Sequence, residues 1–143
     1  MKILMSACLL GVCCRYNSCG KVYPQARRLL ENNQIIPVCP ELLGGLPTPR
    51  EPAELRDGRV YSHSGINVTA QYRRSATETL RLATLFDCRI AVLKERSPSC
   101  GHDRIYDGSF TGTLTDGDGV TAALLRENGI RVIGETEIER ELL

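Results

Sequence analysis

Four short runs of apolar residues mark the chain: Lys2 to Ala7, Ile35 to Cys39, Cys88 to Lys94 and Ile130 to Gly134. Each is nearly continuous rather than alternating, the pattern of parallel strands covered on both faces. Helical periodicity fills the intervals. It is clearest over Asn67 to Asp87, where Val68, Tyr72, Ala76, Leu80 and Ala83 recur every three or four residues and Asn67 is placed to cap the start. Pro24 to Asn33, Thr121 to Asn128 (stopped by Gly129) and Thr136 to Leu143 complete the set. Strand and helix alternate, which predicts one α/β domain over residues 1–143: three layers around a mostly parallel, doubly wound, Rossmann-like sheet. Two stretches, Pro47 to Gly65 and Ser97 to Gly119, resist regular assignment. They carry Pro and Gly or Asp-Gly turn signals and are expected to be functional loops.

Charge narrows the partners. Eighteen Lys and Arg stand against 17 Asp and Glu, which leaves no electrostatic footprint for DNA or an anionic membrane. No apolar run approaches the ~20 residues of a membrane span. The first residues read as a strand rather than a signal sequence, so the expected compartment is the cytoplasm. Tryptophan is absent and phenylalanine occurs twice, so base-stacking platforms for single-stranded RNA are scarce.

The candidate chemistry lies in seven cysteines: Cys8, Cys13, Cys14, Cys19, Cys39, Cys88 and Cys100. An odd number in a reducing compartment points to metal binding, catalysis or burial rather than a disulfide framework. Ligands of open α/β sheets bind beyond the carboxyl ends of the strands. Cys8 follows the first predicted strand, Cys39 ends the second and Cys100 comes just after the third, so all three project to one edge. Cys88 starts the third strand at the opposite edge and reads as core. Cys13, Cys14 and Cys19 fall in the loop after the first strand, open to a fourth-ligand, labile-thiol or plain loop role. No Cys-x-x-Cys pair suggests a zinc knuckle. Single cysteines on separate strand ends suit an iron–sulfur cluster, and three ligands to a 4Fe-4S cluster leave one iron open as a Lewis acid.

The flanking motifs are Ser6-Ala7-Cys8-Leu9-Leu10-Gly11, Cys39-Pro40-Glu41 and Ser97-Pro98-Ser99-Cys100-Gly101, with Gly117-Asp118-Gly119-Val120-Thr121 downstream. On these the chain resembles the thiouracil desulfidase family over nearly its whole length. It departs at Asn17-Ser18-Cys19, where an Asp-Gly pair usually follows the tyrosine. The resemblance implies non-redox removal of sulfur from a thiolated pyrimidine at a 4Fe-4S cluster held by the positions of Cys8, Cys39 and Cys100. It also implies that Ser97 is the serine that pairs with the glutamate Glu41.

Glu41, two residues past Cys39 on a stretch that Pro40 is expected to keep extended, is placed to move protons for an attacking water. Ser97 and Ser99 offer hydroxyls to substrate or to departing sulfide; a Ser-Pro-Ser turn is the other reading. Arg15 and Arg50 suit a substrate carbonyl or phosphate, or equally loop ion pairs. His102 is a loop residue or a metal ligand, His63 has no assigned role, and Thr121 caps a helix or offers amides to an anion. Asp116 and Asp118 lack the other ligands of a calcium loop.

The expected reaction is hydrolytic desulfuration of a thiolated pyrimidine base or nucleoside, releasing sulfide, with no acceptor for it identified. Two alternatives remain at this level: an iron–sulfur redox or sensing module without that activity, and a metal-free thiol-dependent nucleosidase or transferase.

Overall fold

A computed structural model describes residues 1–143. Its centre is a four-stranded parallel sheet of β1 (Lys2–Ser6), β2 (Gln34–Val38), β5 (Ile90–Leu93) and β8 (Arg131–Gly134), in the order β2-β1-β5-β8. These are the four expected strands. Alternate residues of the two inner strands face opposite layers. Ile3, Met5, Ile90 and Val92 pack with Ala26 and Leu29 of α1 (Pro24–Leu29) and with Ile138 of α5 (Ile138–Leu142). Leu4, Ala91 and Leu93 pack with Ala83 of α3 (Thr69–Leu85) and with Ala122 and Leu125 of α4 (Val120–Glu127). The domain therefore has the expected three layers. Pro37 lies exposed on the edge strand β2, where a missing N–H costs no ladder bond.

Helix ends differ from expectation in ways local chemistry explains. α1 stops at Leu29 rather than Asn33, because Leu30 N and Glu31 N turn back on Arg27 O and Arg28 O and Asn33 Nδ2 takes the Leu29 carbonyl at 2.9 Å. α3 starts at Thr69, with Asn67 Oδ1 accepting from Thr69 N at 3.0 Å. A short α2 (Pro40–Leu43) replaces the extended stretch expected after Cys39. Proline at the first helical position is pre-set for helix and loses no bond there.

The two stretches without a clear period each contain a β-hairpin. β3 (Ala53–Arg56) and β4 (Arg59–Ser62) are antiparallel and joined by Asp57-Gly58, with φ of 51° and 75°. Asp-Gly with both residues left-handed is the turn that matches strand twist. β6 (Arg104–Tyr106) pairs with β7 (Leu114–Asp116). Glu54 joins the hairpins: its Oε1 accepts from Gly108 N at 3.0 Å and Phe110 N at 3.1 Å.

The chain winds outward from β1 to β2, then returns past β1 to β5 and β8. The winding reverses between β1 and β5, and an open α/β sheet leaves a crevice there, beyond the strand carboxyl ends.

Candidate active site

That crevice is a cavity of about 840 Å³. Cys8 reaches it from the 3-10 turn Ala7–Leu9 directly after β1. Cys39 reaches it from the residue capping α2, and Cys100 from the turn after β5. The three thiols expected to meet at one strand edge do line one cavity. Ser6, the last residue of β1, ties the two inner strands together: its hydroxyl accepts from Lys94 N at 2.9 Å and donates to Cys100 Sγ at 3.6 Å. Cys88 is buried at the opposite end of β5, as its position predicts.

A fourth thiol joins them. Cys14 is 2% exposed and lines the cavity, whereas Cys13 and Cys19 are exposed. Hydrogen bonding from Cys14 is the largest influence on both neighbours. It pulls Cys8 down to about 6, with Arg15 and Lys94 adding to the effect against burial. It pulls Cys39 down to about 7, assisted by the Leu42 amide and Arg50. Cys14 is itself pushed up, first by its bonds to Cys39 and Cys8. The Cys39 thiol also reaches the Cys14 carbonyl at 3.6 Å, so the two loops that carry these sulfurs are in direct contact. Burial pushes the Cys100 thiol up, opposed by the Ser6 hydroxyl.

Glu41 sits in the first turn of α2 and lines the cavity. Arg50 Nε donates to Glu41 Oε2 at 2.7 Å, and Nη2 bonds the same oxygen. Arg50 Nη2 also reaches Cys14 O at 3.0 Å, while Nη1 reaches Pro47 O at 3.0 Å and Thr48 Oγ1 at 3.1 Å. All five N–H donors are thereby taken up within the protein. That is the loop-pairing arrangement, and it leaves Arg50 no donor for a substrate. Tyr72, 2% exposed on α3, places its hydroxyl beside Glu41; burial and that carboxylate push the phenol up.

Ser97 and Ser99 part company. Ser97 lines the cavity, and its Oγ accepts from Ser99 N at 3.0 Å and Cys100 N at 2.9 Å, fixing the turn that carries Cys100. Its own hydroxyl proton remains to be donated. Ser99 is fully buried, outside the cavity wall, with its Oγ 2.9 Å from Thr121 Oγ1. The substrate contact expected of Ser99 is therefore not available to it. Gly119 lies so close to this turn that a Cβ there would stand 2.5 Å from the Ser99 carbonyl oxygen.

Arg15 lines the cavity beside Cys8, and its buried Nε has no hydrogen-bond partner. Thr121 offers no anion cradle: the amides of Val120, Thr121 and Ala122 bond Pro98 O and Ser99 O at 2.8–3.1 Å. His102 turns away from the cavity, with Nδ1 3.0 Å from Asp103 and Nε2 2.6 Å from Glu137. Asp118 is engaged by Asp103 N and Arg126. His63 packs edge-on to Phe110 at 5.1 Å in the outer wall, where the hairpins add Tyr106 and Pro52.

Tyr72, Ser6 and the ion pair of Lys94 with Glu135 at 2.6 Å were not singled out by sequence as site residues. Tyr72 looked like one more apolar stripe position, and Lys94 and Ser6 like strand ends. No three His, Cys, Asp or Glu side chains are spaced to grip one metal ion. No helix is long and apolar enough to cross a membrane.

Comparison with known proteins meets this geometry. A solved structure of a [4Fe-4S]-dependent thiouracil desulfidase, TudS, superposes with a TM-score of 0.91 at 45% identity, over 97% of this chain and 93% of that one. An uncharacterised protein of Bacillus subtilis (strain 168), YbbK, is 43% identical over 146 residues, 95% of this chain and 97% of the relative. The family model described as 2-thiouracil desulfurase matches residues 3–137, a span that takes in all three strand-end cysteines, Glu41 and Ser97. With fold, cavity and sequence in agreement, the chain belongs to the 2-thiouracil desulfurase family.

Proposed function

We propose that this protein hydrolyses the carbon–sulfur bond of a thiolated pyrimidine base or nucleoside without net redox change, using a 4Fe-4S cluster held by Cys8, Cys39 and Cys100. The observation that carries this reading is the meeting of those thiols with Glu41 and Ser97 around one cavity. The donor set fits such a group. The ligands of a multi-iron cluster bind different irons, so they need not converge on a point as the ligands of one ion must. Two of the sulfurs lean toward thiolate, and the buried, unpartnered Arg15 Nε faces the Cys8 side, where a cluster bearing thiolates places negative charge.

The bound cluster supplies an iron without a protein ligand, a Lewis acid toward a thiocarbonyl sulfur. The rest is work for side chains. Glu41, fixed by Arg50, accepts a proton from the water that attacks the thiocarbonyl carbon. The carbon–sulfur bond breaks as the carbon–oxygen bond forms, and sulfur departs as hydrosulfide. No electron enters or leaves. Ser97 donates its hydroxyl proton in a hydrogen bond to substrate or departing sulfur. Arg15 contacts the substrate at its sulfur end. The cavity exceeds one pyrimidine ring and has an aromatic outer wall, which supports nucleosides beside free bases. A cytoplasmic location accords with seven unpaired cysteines.

The test is sulfide release from thiolated bases and nucleosides by anaerobically prepared protein. Parent protein is expected to turn over. Glu41→Gln is expected to keep iron and labile sulfide and lose turnover by roughly 10²–10⁴-fold. A cluster-bearing parent that releases no sulfide from any of them would favour the sensing reading instead.

A further inference from the structure

Two carboxylates in the cavity wall are buried, Glu135 and Glu54, at 7% and 9% exposure. Glu135 spends both oxygens, one on Lys94 Nζ at 2.6 Å and the other on Glu95 N at 2.7 Å. Glu54 spends only one. Its Oε1 accepts from Gly108 N at 3.0 Å and Phe110 N at 3.1 Å, and no cation pairs with it. Arg56, two residues further along β3, lies over the Tyr61 ring instead, 5.0 Å from its centroid. Glu54 Oε2 has no partner in the protein, and it is not sealed away from the cavity that the residue lines. A buried carboxylate with no counter-charge and one open oxygen is an acceptor without its donors.

The surroundings restrict what those donors are. The two amides on Oε1 belong to the tip of the β6–β7 hairpin. They hold Phe110 at φ 58°, a left-handed conformation that is costly for a bulky residue. The tip sits so close to β3 that a Cβ at Gly108 would stand 2.6 Å from Arg56 Cβ. In this position the Phe110 ring meets His63 edge-on at 5.1 Å, and both rings line the cavity with Tyr106 and Pro52. The wall around Glu54 is therefore aromatic and apolar, and it is built by the hairpins. The thiols come from other elements, the strand ends.

We propose that Glu54 Oε2 accepts hydrogen bonds from the ribose hydroxyls of a pyrimidine nucleoside, with the Phe110–His63 wall against the carbon face of the sugar. The choice of a nucleoside rests on the desulfuration reading. With the thiocarbonyl among the strand-end thiols, the sugar is the part of the substrate left for the hairpin wall. Ribose offers neighbouring hydroxyls at C2′ and C3′, which suit a carboxylate and which a free base lacks. Glu54 selects the sugar and takes no part in bond cleavage.

Isothermal titration of anaerobic holoprotein with uridine and 2′,3′-dideoxyuridine tests this without turnover, because neither ligand carries the sulfur. The parent is expected to bind uridine about tenfold or more tightly, the effect of hydrogen bonds to an ionised acceptor. Glu54→Gln keeps an acceptor for the two amides and removes the charge, so the ratio is expected to fall to about threefold or less. A Glu54 that only joins the hairpins would weaken both nucleosides alike and leave the ratio unmoved. That result would overturn the proposal, as would a parent that binds neither nucleoside or does not distinguish them. If Glu54→Gln does not fold, Glu54→Asp, which draws the carboxylate back by one methylene, is expected to lower the same ratio, and an unmoved ratio there would overturn it too. A parent that distinguishes the nucleosides but releases no sulfide from any thiolated pyrimidine would keep the sugar site and remove the reaction. Sulfide release without preference for the hydroxyls would do the reverse.

Discussion

Arg50 grips a single oxygen of Glu41 with two nitrogens, and the same guanidinium holds the Cys14 carbonyl at 3.0 Å. One side chain thus sets the carboxylate and the loop carrying the middle thiol in fixed relation. The pair is largely buried, with side chains 7% and 14% exposed. Removing one partner of such a pair costs about 3–5 kcal/mol, because the other charge is left uncompensated. Arg50→Met should lower the melting temperature markedly. Arg50→Lys, a point charge without the fork, should fold and keep iron yet lose kcat by about tenfold. Thermal melts and steady-state kinetics check both.

The two serines beside Cys100 should separate. Ser97→Ala removes the cavity-facing hydroxyl and should reduce kcat by about tenfold or more with the cluster retained. Ser99→Ala leaves the buried Thr121 hydroxyl without its partner and should cost about 1–3 kcal/mol of stability, with kcat close to that of the parent. The reverse pattern would contradict the placement of both.

Tyr72→Phe keeps the packing of α3 but removes the hydroxyl beside Glu41. Stability is expected to stay within about 1.5 kcal/mol of the parent, with kcat lowered and KM little changed. A denaturant melt alongside kinetics separates the two effects.

The ion pairs around Asp103 should matter little. Arg126 holds the Asp103 carboxyl below its ordinary range, with His102 adding to the effect. A folded-state value below the unfolded one stabilises fully above the unfolded value and is lost as pH falls through the folded one. The Asp103 side chain is 66% exposed, so solvent screens most of this. Arg126→Ala should therefore cost less than about 1 kcal/mol, with its small effect confined to pH values above the carboxylate range.

The parts legible in the sequence were those set by local pattern. Near-continuous apolar runs announced β1, β2, β5 and β8, and their carboxyl ends announced where Cys8, Cys39 and Cys100 would gather. The β3–β4 hairpin also had a local signal, Asp57-Gly58, but its four-residue strands were hidden among Pro and Gly. Pro40 was compatible with both an extended stretch and a helix start, and only packing against α3 chose the helix. The roles of Arg50, Tyr72 and the Lys94–Glu135 pair depend on contacts between residues 9 to 41 positions apart, or on an element packed from across the fold, and no local period encodes them.

Iron and acid-labile sulfide content after anaerobic preparation tests the central claim most directly. Cys8→Ser, Cys39→Ser and Cys100→Ser should each abolish or sharply reduce the cluster, while Cys14→Ala and Cys88→Ala should retain iron and sulfide at parent levels. A cluster that survives loss of Cys39, or that vanishes with Cys14 and not with Cys8, would contradict the account.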